Sequence, residues 1–171
     1  MTEKGFTKVL LLHSSLKLFN KGGLEKLKVR NVANACHISI QPIYYIFGSQ
    51  QDLQEAVLEL ALKQLANTLD DLIKAGKFGV NKNIEFGKAL AESPGLIIEI
   101  NKGNQDILNR VVKVSEKYFV AAHGTTNPKK LKVNILLVSS FINNKRVSDL
   151  NFSNETLNKS LNNFFKHLDL E

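Results

Sequence analysis

Apolar residues recur every three to four positions along most of the chain, which is the spacing of one-sided amphipathic helices. Two short segments of this kind follow one another between residues 29 and 47. Their apolar faces consist of Val29, Val32, Ala33 and Cys36 in the first segment and Ile43, Ile46 and Phe47 in the second. Because only residues 37–39 separate the two faces, the pattern predicts two helices that share a small core and meet at a tight turn.

The residues of this turn suggest how the second helix begins. We expect Ile38 to fill the space between the two helices and Ser39 to act as the N-cap of the second helix. Pro42 then falls at the third helical position, where its missing N–H is one that the helix could not pair internally. The sequence therefore predicts that the second helix begins directly after the turn.

Four residues of the second helix are expected to face away from the shared core: Ile40, Gln41, Tyr44 and Tyr45. The DNA major groove admits an α-helix, glutamine can form two hydrogen bonds with an adenine edge, and an aliphatic side chain can contact a thymine methyl. Tyrosine hydroxyls suit phosphate oxygens. The pattern therefore predicts a helix-turn-helix that binds double-stranded DNA. In the alternative, a tyrosine packs against the first helix with only its hydroxyl exposed, and Tyr45 is the better candidate for that arrangement.

The flanking sequence extends the motif in both directions. An upstream amphipathic helix carries Phe6, Val9, Leu10, His13, Leu16 and Phe19 along one side, and it is followed by the glycine pair Gly22 and Gly23. The lead-in to the motif contains Leu24, Leu27, Val29 and Arg30. After the motif, the next helix begins with Gly48, Ser49, Asp52 and Leu53. With these residues, the segment from Phe6 to Leu58 resembles the DNA-binding domain of the tetracycline-repressor-like (TetR) family of bacterial transcriptional regulators. The sequence departs from the family pattern at His37, where glycine is usual, at Gln41 and Pro42, where small residues are common, and at Gln50, where lysine is common.

The charge distribution agrees with a DNA partner. Residues 1–50 contain seven Lys or Arg and two acidic residues, so they carry five of the chain's seven net positive charges. A cationic surface is attracted to the phosphate backbone, with an affinity that falls as salt rises. The candidate DNA-binding residues are Lys28, Arg30, Ser39, Ile40, Gln41, Pro42, Tyr44, Tyr45, Ser49 and Gln50.

Everything downstream also has helical spacing. Ser49, with Asp52 three residues later, is expected to cap a long helix that continues to about Ile73. Further helical segments cover residues 84–90, 105–123 and 128–142, with interruptions at Ser93, Pro94 and Gly95 and at Gly124, and Ser153 is expected to cap a last one. The sequence predicts an all-α fold, with a three-helix helix-turn-helix domain at 1–48 and a helical ligand-binding and dimerisation domain at 49–171.

The resemblance implies that the last two helices form a homodimer through a four-helix bundle. The candidate interface residues are Leu136, Ser139, Leu161, Phe164 and Phe165. The alternative is that these side chains form the second domain's own core.

The resemblance also implies an effector, a small apolar or amphipathic molecule that binds inside the second domain and releases the DNA. Candidate pocket residues are Phe86, Leu90, Ile97, Ile107, Val111, Tyr118 and Phe119. Their spacing fits an ordinary helical core equally well, and the domain is short for the family, so a small pocket or none is the alternative.

Other classes of protein are not indicated by the sequence. The four histidines lack metal-binding spacing, Cys36 has no cysteine partner, and no glycine-rich phosphate motif is present, so we expect no catalysis, no cofactor and no metal. No apolar run is long enough to cross a membrane and no signal peptide is recognisable, which predicts a cytoplasmic protein. Three hypotheses remain: an effector-responsive repressor, a DNA-binding dimer without a ligand, and a ligand-binding protein that has lost specific DNA recognition.

Overall fold

The computed structural model describes residues 3–76, 82–124 and 127–143, and these residues form eight α-helices and one 3₁₀ turn, without strands. The all-α prediction is confirmed. The helices are α1 (Glu3–Gly22), α2 (Val29–Cys36), α3 (Gln41–Phe47), α4 (Gln50–Lys74), α5 (Lys82–Ala91), α6 (Pro94–Asn101), α7 (Gln105–His123) and α8 (Pro128–Asn143), with the 3₁₀ turn at Gly23–Lys26 between α1 and α2.

Helix α1 packs with a face that only partly coincides with the expected one: Leu16 and Phe19 belong to the predicted face, and Leu11 does not. Leu11, Leu16 and Phe19 are buried, whereas Val9 and Leu10 lie 40% and 52% exposed. His13 is exposed as well, and the side chain of Phe6 lies outside the described residues. Both faces carry apolar residues at helical spacing, so the sequence pattern alone does not identify the packed one. The helix ends at the glycine pair as predicted.

The long helix α4 runs through both halves of the described chain. Its N-cap is Ser49, whose hydroxyl accepts a hydrogen bond from the Asp52 N–H at 3.0 Å, as predicted. A buried stripe extends along one side of this helix and consists of Leu53, Val57, Leu58, Ala61, Leu62, Leu65 and Leu69. The helix contacts α1 and α3 in the first half of the chain and α5 and α7 in the second half. Its stripe is therefore part of one continuous hydrophobic core.

The second half of the described chain matches the predicted helices with one exception. Helix α7 has the predicted bounds, and Asn127 accepts a hydrogen bond from the Lys129 N–H at the start of α8. The interruption predicted at residues 93–95 is present but displaced: α5 ends at Ala91 and only Glu92 and Ser93 separate it from α6, because Pro94 starts α6 and Ser93 is its N-cap. Proline suits the first turn of a helix, where its missing N–H has no partner to lose. The helix predicted from Ser153 lies outside the described residues.

Two ion pairs join α4 to α7 on the surface. Arg110 donates from both terminal nitrogens to the carboxylate of Glu55, and the Lys117 ammonium lies 2.6 Å from Asp70. The hydrogen bonds from Arg110 hold the pKa of Glu55 below its usual value, although partial burial opposes this. Within the described ranges, none of the helices is both long and apolar enough to cross a membrane.

We expect Glu55→Gln to lower the free energy of unfolding at neutral pH by roughly 0.2–1 kcal/mol, because this pair is largely solvent-exposed. A carboxylate with a lowered folded-state pKa stabilises the fold above its unfolded pKa, and this contribution is lost as pH falls through the folded-state value. The difference between Glu55→Gln and the original chain should therefore shrink in denaturant titrations as pH falls below the unfolded pKa, and it should disappear below the lowered folded-state pKa. Glu116→Gln on the exposed side of α7 is the matched control, and a pH-independent difference at Glu55 would contradict the prediction.

Candidate nucleic-acid interface

Helices α2 and α3 meet at a sharp turn whose geometry depends on His37. This residue has φ 55° and ψ 41°, the left-handed conformation in which glycine is the least strained residue. Its N–H donates to the carbonyl oxygen of Asn34, and the Ile38 N–H donates to that of Ala33. The turn therefore ends α2 within one residue and redirects the chain into α3.

The start of α3 differs from the prediction. The N-cap is Ile40, not Ser39, and no side chain caps this helix terminus. Ile40 already has helical angles and its carbonyl accepts from the Ile43 and Tyr44 N–H groups, so Pro42 falls at the second helical position and not the third. Ile38 is 37% exposed and does not fill the space between the helices. That space is occupied by the two apolar faces themselves.

The inward side of the motif is packed as the sequence predicted. The buried side chains are Val29, Val32, Ala33, Ile43 and Phe47, while Cys36 and Ile46 are partly buried against the same core. This packing fixes α3 against α2 and the start of α4, so the opposite side of α3 is presented on a rigid support.

The opposite side of α3 faces solvent. Ile40 is 42% exposed, Tyr44 46% and Tyr45 75%, and Gln41 is exposed beside them. Since three quarters of Tyr45 is accessible, its ring is not packed beneath α2, and the outward orientation predicted for both tyrosines is observed. One helix face thus offers an amide, an aliphatic side chain and two phenols together.

The remaining candidate residues are either exposed to solvent or engaged in hydrogen bonds and packing within the protein. Lys28, Arg30 and Ser39 are exposed, Pro42 is half-buried, and Ser49 is engaged in the α4 cap. Gln50 is half-buried and its side-chain oxygen accepts a hydrogen bond from the Val29 N–H at 3.3 Å. It therefore caps the start of α2 in this conformation. The direct DNA contacts of all ten candidates stay predictions.

Three supporting contacts had no local sequence signal. Asn31 donates to the Lys26 carbonyl at 3.2 Å, Gln54 donates to the Leu24 carbonyl at 3.3 Å, and the Lys8 ammonium lies 5.8 Å from the centre of the Phe47 ring. The first two contacts bind the segment before α2 to its surroundings. In each contact the fold brings the two partners together, and their spacing in the sequence does not identify them.

The seven pocket candidates all lie in the core of the second half. Each is at most 5% exposed, and Phe86 is in ring contact with Tyr118 and Phe119 at centroid distances of 6.0 and 4.9 Å. The Tyr118 hydroxyl donates to the Lys82 carbonyl at 2.7 Å, and burial raises the pKa of this phenol to about 12. A surface cleft of about 390 Å³ between α4 and the end of α5 involves none of the seven. Their role as pocket walls stays a prediction.

The interface candidates divide into three groups. Leu136 on α8 is 38% exposed, whereas Ser139 is completely buried, where its hydroxyl contacts the side-chain oxygen of Asn101 at 3.3 Å. In this conformation Ser139 does not reach the surface at which a second subunit would bind. Leu161, Phe164 and Phe165 lie outside the described residues. In the part of the chain that the structure describes, no three His, Cys, Asp or Glu side chains are grouped so that they could hold a metal ion.

Comparison with known proteins agrees with this geometry. Residues 11–57 match the family model described as bacterial regulatory proteins, tetR family. Among solved structures, a tetR-family transcriptional regulator from Streptomyces coelicolor superimposes with a TM-score of 0.62 at 17% identity, covering 91% of this chain and 76% of the other. The TetR family repressor AlkX from Dietzia sp. strain DQ12-45-1b, implicated in biodegradation of n-alkanes, gives a TM-score of 0.54 at 14% identity, covering 91% and 96%. No functionally curated sequence matches the chain.

We expect Gln41→Ala to relax base preference without disturbing the fold, because the side chain is exposed. On duplexes enriched from a random-sequence library by the original protein, the preference for the enriched base should fall about tenfold at the position that Gln41 contacts. Fluorescence anisotropy with single-base variants of the duplex measures this. Equal loss of affinity on every duplex would show that Gln41 does not contact a base edge.

Tyr44→Phe should behave differently, because a phosphate contact carries no sequence information. Removing the hydroxyl should weaken binding by about fivefold on enriched and unrelated duplexes alike. The same anisotropy titrations provide the comparison. A change of base preference in Tyr44→Phe, with unchanged affinity for unrelated duplexes, would contradict the assignment of this hydroxyl to the backbone.

Proposed function

Because this chain belongs, through residues 11–57, to the tetR family of bacterial regulatory proteins, we propose that it represses transcription as a homodimer on a palindromic operator. DNA binding through the helix-turn-helix and a role in transcription regulation follow from the family. The repressor activity, the dimer and release by an effector are the proposal.

The observation that carries the proposal is the exposed face of α3. Ile40, Gln41, Tyr44 and Tyr45 project together from a helix whose other side is packed, and two exposed cations lie nearby in the sequence of the motif, Lys28 at the N-cap of α2 and Arg30 in its first turn. A helix that enters the major groove needs such a combination, with base-contacting side chains at its centre and cations beside the phosphates. A protein bound over a promoter in this way excludes RNA polymerase, and repression is the direct consequence.

The dimer follows from the symmetry that a palindromic operator requires. Two copies related by a two-fold axis present two α3 helices to half-sites that lie about one helical turn of DNA apart. Leu136 is an exposed apolar residue on α8, and we place the contact with a second copy on the outer side of this helix.

The effector is proposed to bind within the second domain and to favour a conformation in which the two α3 helices no longer fit adjacent major grooves. By linkage, DNA then weakens effector binding by the same factor. The apolar candidate residues suit an apolar molecule, and one buried atom suits a polar end group. Asn134 donates to the Asn83 side-chain oxygen at 3.1 Å, but its own side-chain oxygen is buried without a hydrogen-bond partner among the residues that the structure describes. A hydroxyl donor on an amphipathic effector would satisfy it.

A second function is favoured by the ring packing of Phe86, Tyr118 and Phe119, in which the three rings contact one another directly. A domain packed in this way can act in dimerisation or protein contact alone, without a ligand. The two functions differ in their response to small molecules and not in their response to DNA.

The proposal as a whole is tested by selection of genomic fragments of the source organism on the purified protein, followed by sequencing. The expected result is enrichment of a palindromic element whose half-sites are centred about 10 base pairs apart or a multiple of that spacing. Repression is then measured by a promoter carrying that element in front of a reporter gene. Fragments enriched without a shared sequence would contradict operator binding, and increased reporter expression would contradict repression.

We expect Leu136→Asp to convert the dimer to a monomer, because it places a charge on each side of an apolar contact. Light scattering coupled to gel filtration gives the mass. Val120→Asp is the matched control, since Val120 is a similarly exposed apolar residue on α7 at 48% exposure. A dimer retained in Leu136→Asp, or lost equally in Val120→Asp, would remove α8 from the proposed interface.

The effector proposal predicts that 1-octanol raises the unfolding temperature more than n-octane, because only the alcohol can donate to Asn134. Asn134→Leu should abolish the difference between the two ligands. Thermal unfolding at a series of ligand concentrations measures both effects. An unfolding temperature that responds to neither molecule would favour the ligand-free function.

A further inference from the structure

Glu99 is a buried carboxylate in the short apolar helix α6. It is 5% exposed, although its neighbours in the sequence, Ile98 and Ile100, are apolar. A buried carboxylate is costly unless it is paired and hydrogen-bonded. Its position in the core therefore requires specific partners.

These partners come from two parts of the chain. Within its own half, the Lys102 ammonium lies 3.3 Å from one carboxylate oxygen and the Asn104 amide donates to the other at 3.4 Å. The third partner is the backbone N–H of Leu24, which donates at 3.0 Å to the oxygen that Lys102 contacts. Leu24 belongs to the 3₁₀ turn between α1 and α2, so this bond joins α6 to the segment that leads into the helix-turn-helix.

The turn is shaped to accept the carboxylate. Gly23 has φ +71°, and a Cβ atom built on it would lie 2.1 Å from the nearer oxygen of Glu99. Only glycine permits this approach, because any side chain would both strain the backbone and displace the carboxylate. The backbone of the turn and the acid of α6 are therefore matched to each other.

Neighbouring contacts hold the same two segments together. Gly95, at the start of α6, donates its N–H to the Asn20 side chain at 3.2 Å, and the Lys102 ammonium lies 3.4 Å from Glu25 in the turn. On its other side the turn is held by Gln54 of α4, which donates to the Leu24 carbonyl. The N–H and the carbonyl of Leu24 are thus each fixed by a different helix.

We propose that Glu99 is a positioning residue for DNA recognition: by binding the Leu24 N–H, it sets the orientation of α2 and α3 from outside the DNA-binding domain. The inference rests on the proposed binding of a specific operator. Glu99 lies in the second half of the chain and acts only through the turn. Its effect should therefore appear in recognition of two correctly spaced half-sites more than in general attraction to DNA.

Two substitutions separate the hydrogen bond from the charge. Glu99→Gln keeps an oxygen that can accept from Leu24, whereas Glu99→Ala removes every acceptor. Lys102→Met is the matched control, because it removes the charge partner and leaves the Leu24 bond. Thermal unfolding confirms that each variant is folded, and the amide resonance of Leu24 in a ¹⁵N-labelled protein reports the hydrogen bond directly.

The experiment compares affinity for a duplex enriched by the original protein with affinity for a random-sequence duplex at low salt. Glu99→Ala should lose about tenfold or more on the enriched duplex and about twofold or less on the random one. Glu99→Gln and Lys102→Met should stay within about threefold of the original chain on both. The Leu24 amide resonance should move farthest in Glu99→Ala, where the acceptor is lost, and less in Glu99→Gln, where a neutral acceptor replaces a charged one.

The outcomes distinguish this inference from the proposed function. Unchanged affinity of Glu99→Ala for the enriched duplex overturns the inference alone, as does an equal loss on both duplexes or a failure of Glu99→Gln to retain affinity. If the original protein enriches no duplex, the proposed function fails and the inference fails with it.

Discussion

The architecture depends on one continuous helix, α4, which is buried along one side from Leu53 to Leu69. Its first turns pack against α1 and α3, and its later turns pack against α5 and α7. A 25-residue helix cannot bend sharply without breaking internal hydrogen bonds, so its two ends move together. The direction in which α3 is presented is therefore set by side chains that pack on α4 far from any DNA contact.

A second connection between the halves runs through the 3₁₀ turn before α2. The turn is short and contains a glycine in a left-handed conformation, so its backbone polar groups need partners from elsewhere. Glu99 and Gln54 supply them from α6 and α4. Because the two helices bind opposite sides of the same residue, a shift of either helix relative to the other is transmitted to the start of the helix-turn-helix.

Local signals were sufficient for most helices and failed where packing partners are distant. The bounds of α7 follow from its periodicity and from Gly124, and the outward face of α3 follows from the burial of Ile43 and Phe47. The start of α6 was missed because Pro94 can both end and begin a helix, and only the packing of the next residue, Gly95, against Phe19 of α1 distinguishes the two. The burial of Glu99 has no local signal either, since its partner Leu24 is 75 positions away. For the same reason, the sequence assigned Leu16 and Phe19 correctly to the packed face of α1 but assigned the exposed Val9 and Leu10 to it as well.

The left-handed conformation of His37 bears on which residues the turn between α2 and α3 can accept. A non-glycine residue in that conformation costs about 1 kcal/mol, and histidine adopts it more readily than most. Glycine would avoid this cost but would lose more chain entropy on folding, by a similar amount. The two effects nearly offset each other, so exchanging histidine for glycine in the turn between α2 and α3 should change the free energy of unfolding little. The turn can therefore carry a side chain at this position while the angle at which the two helices cross stays the same.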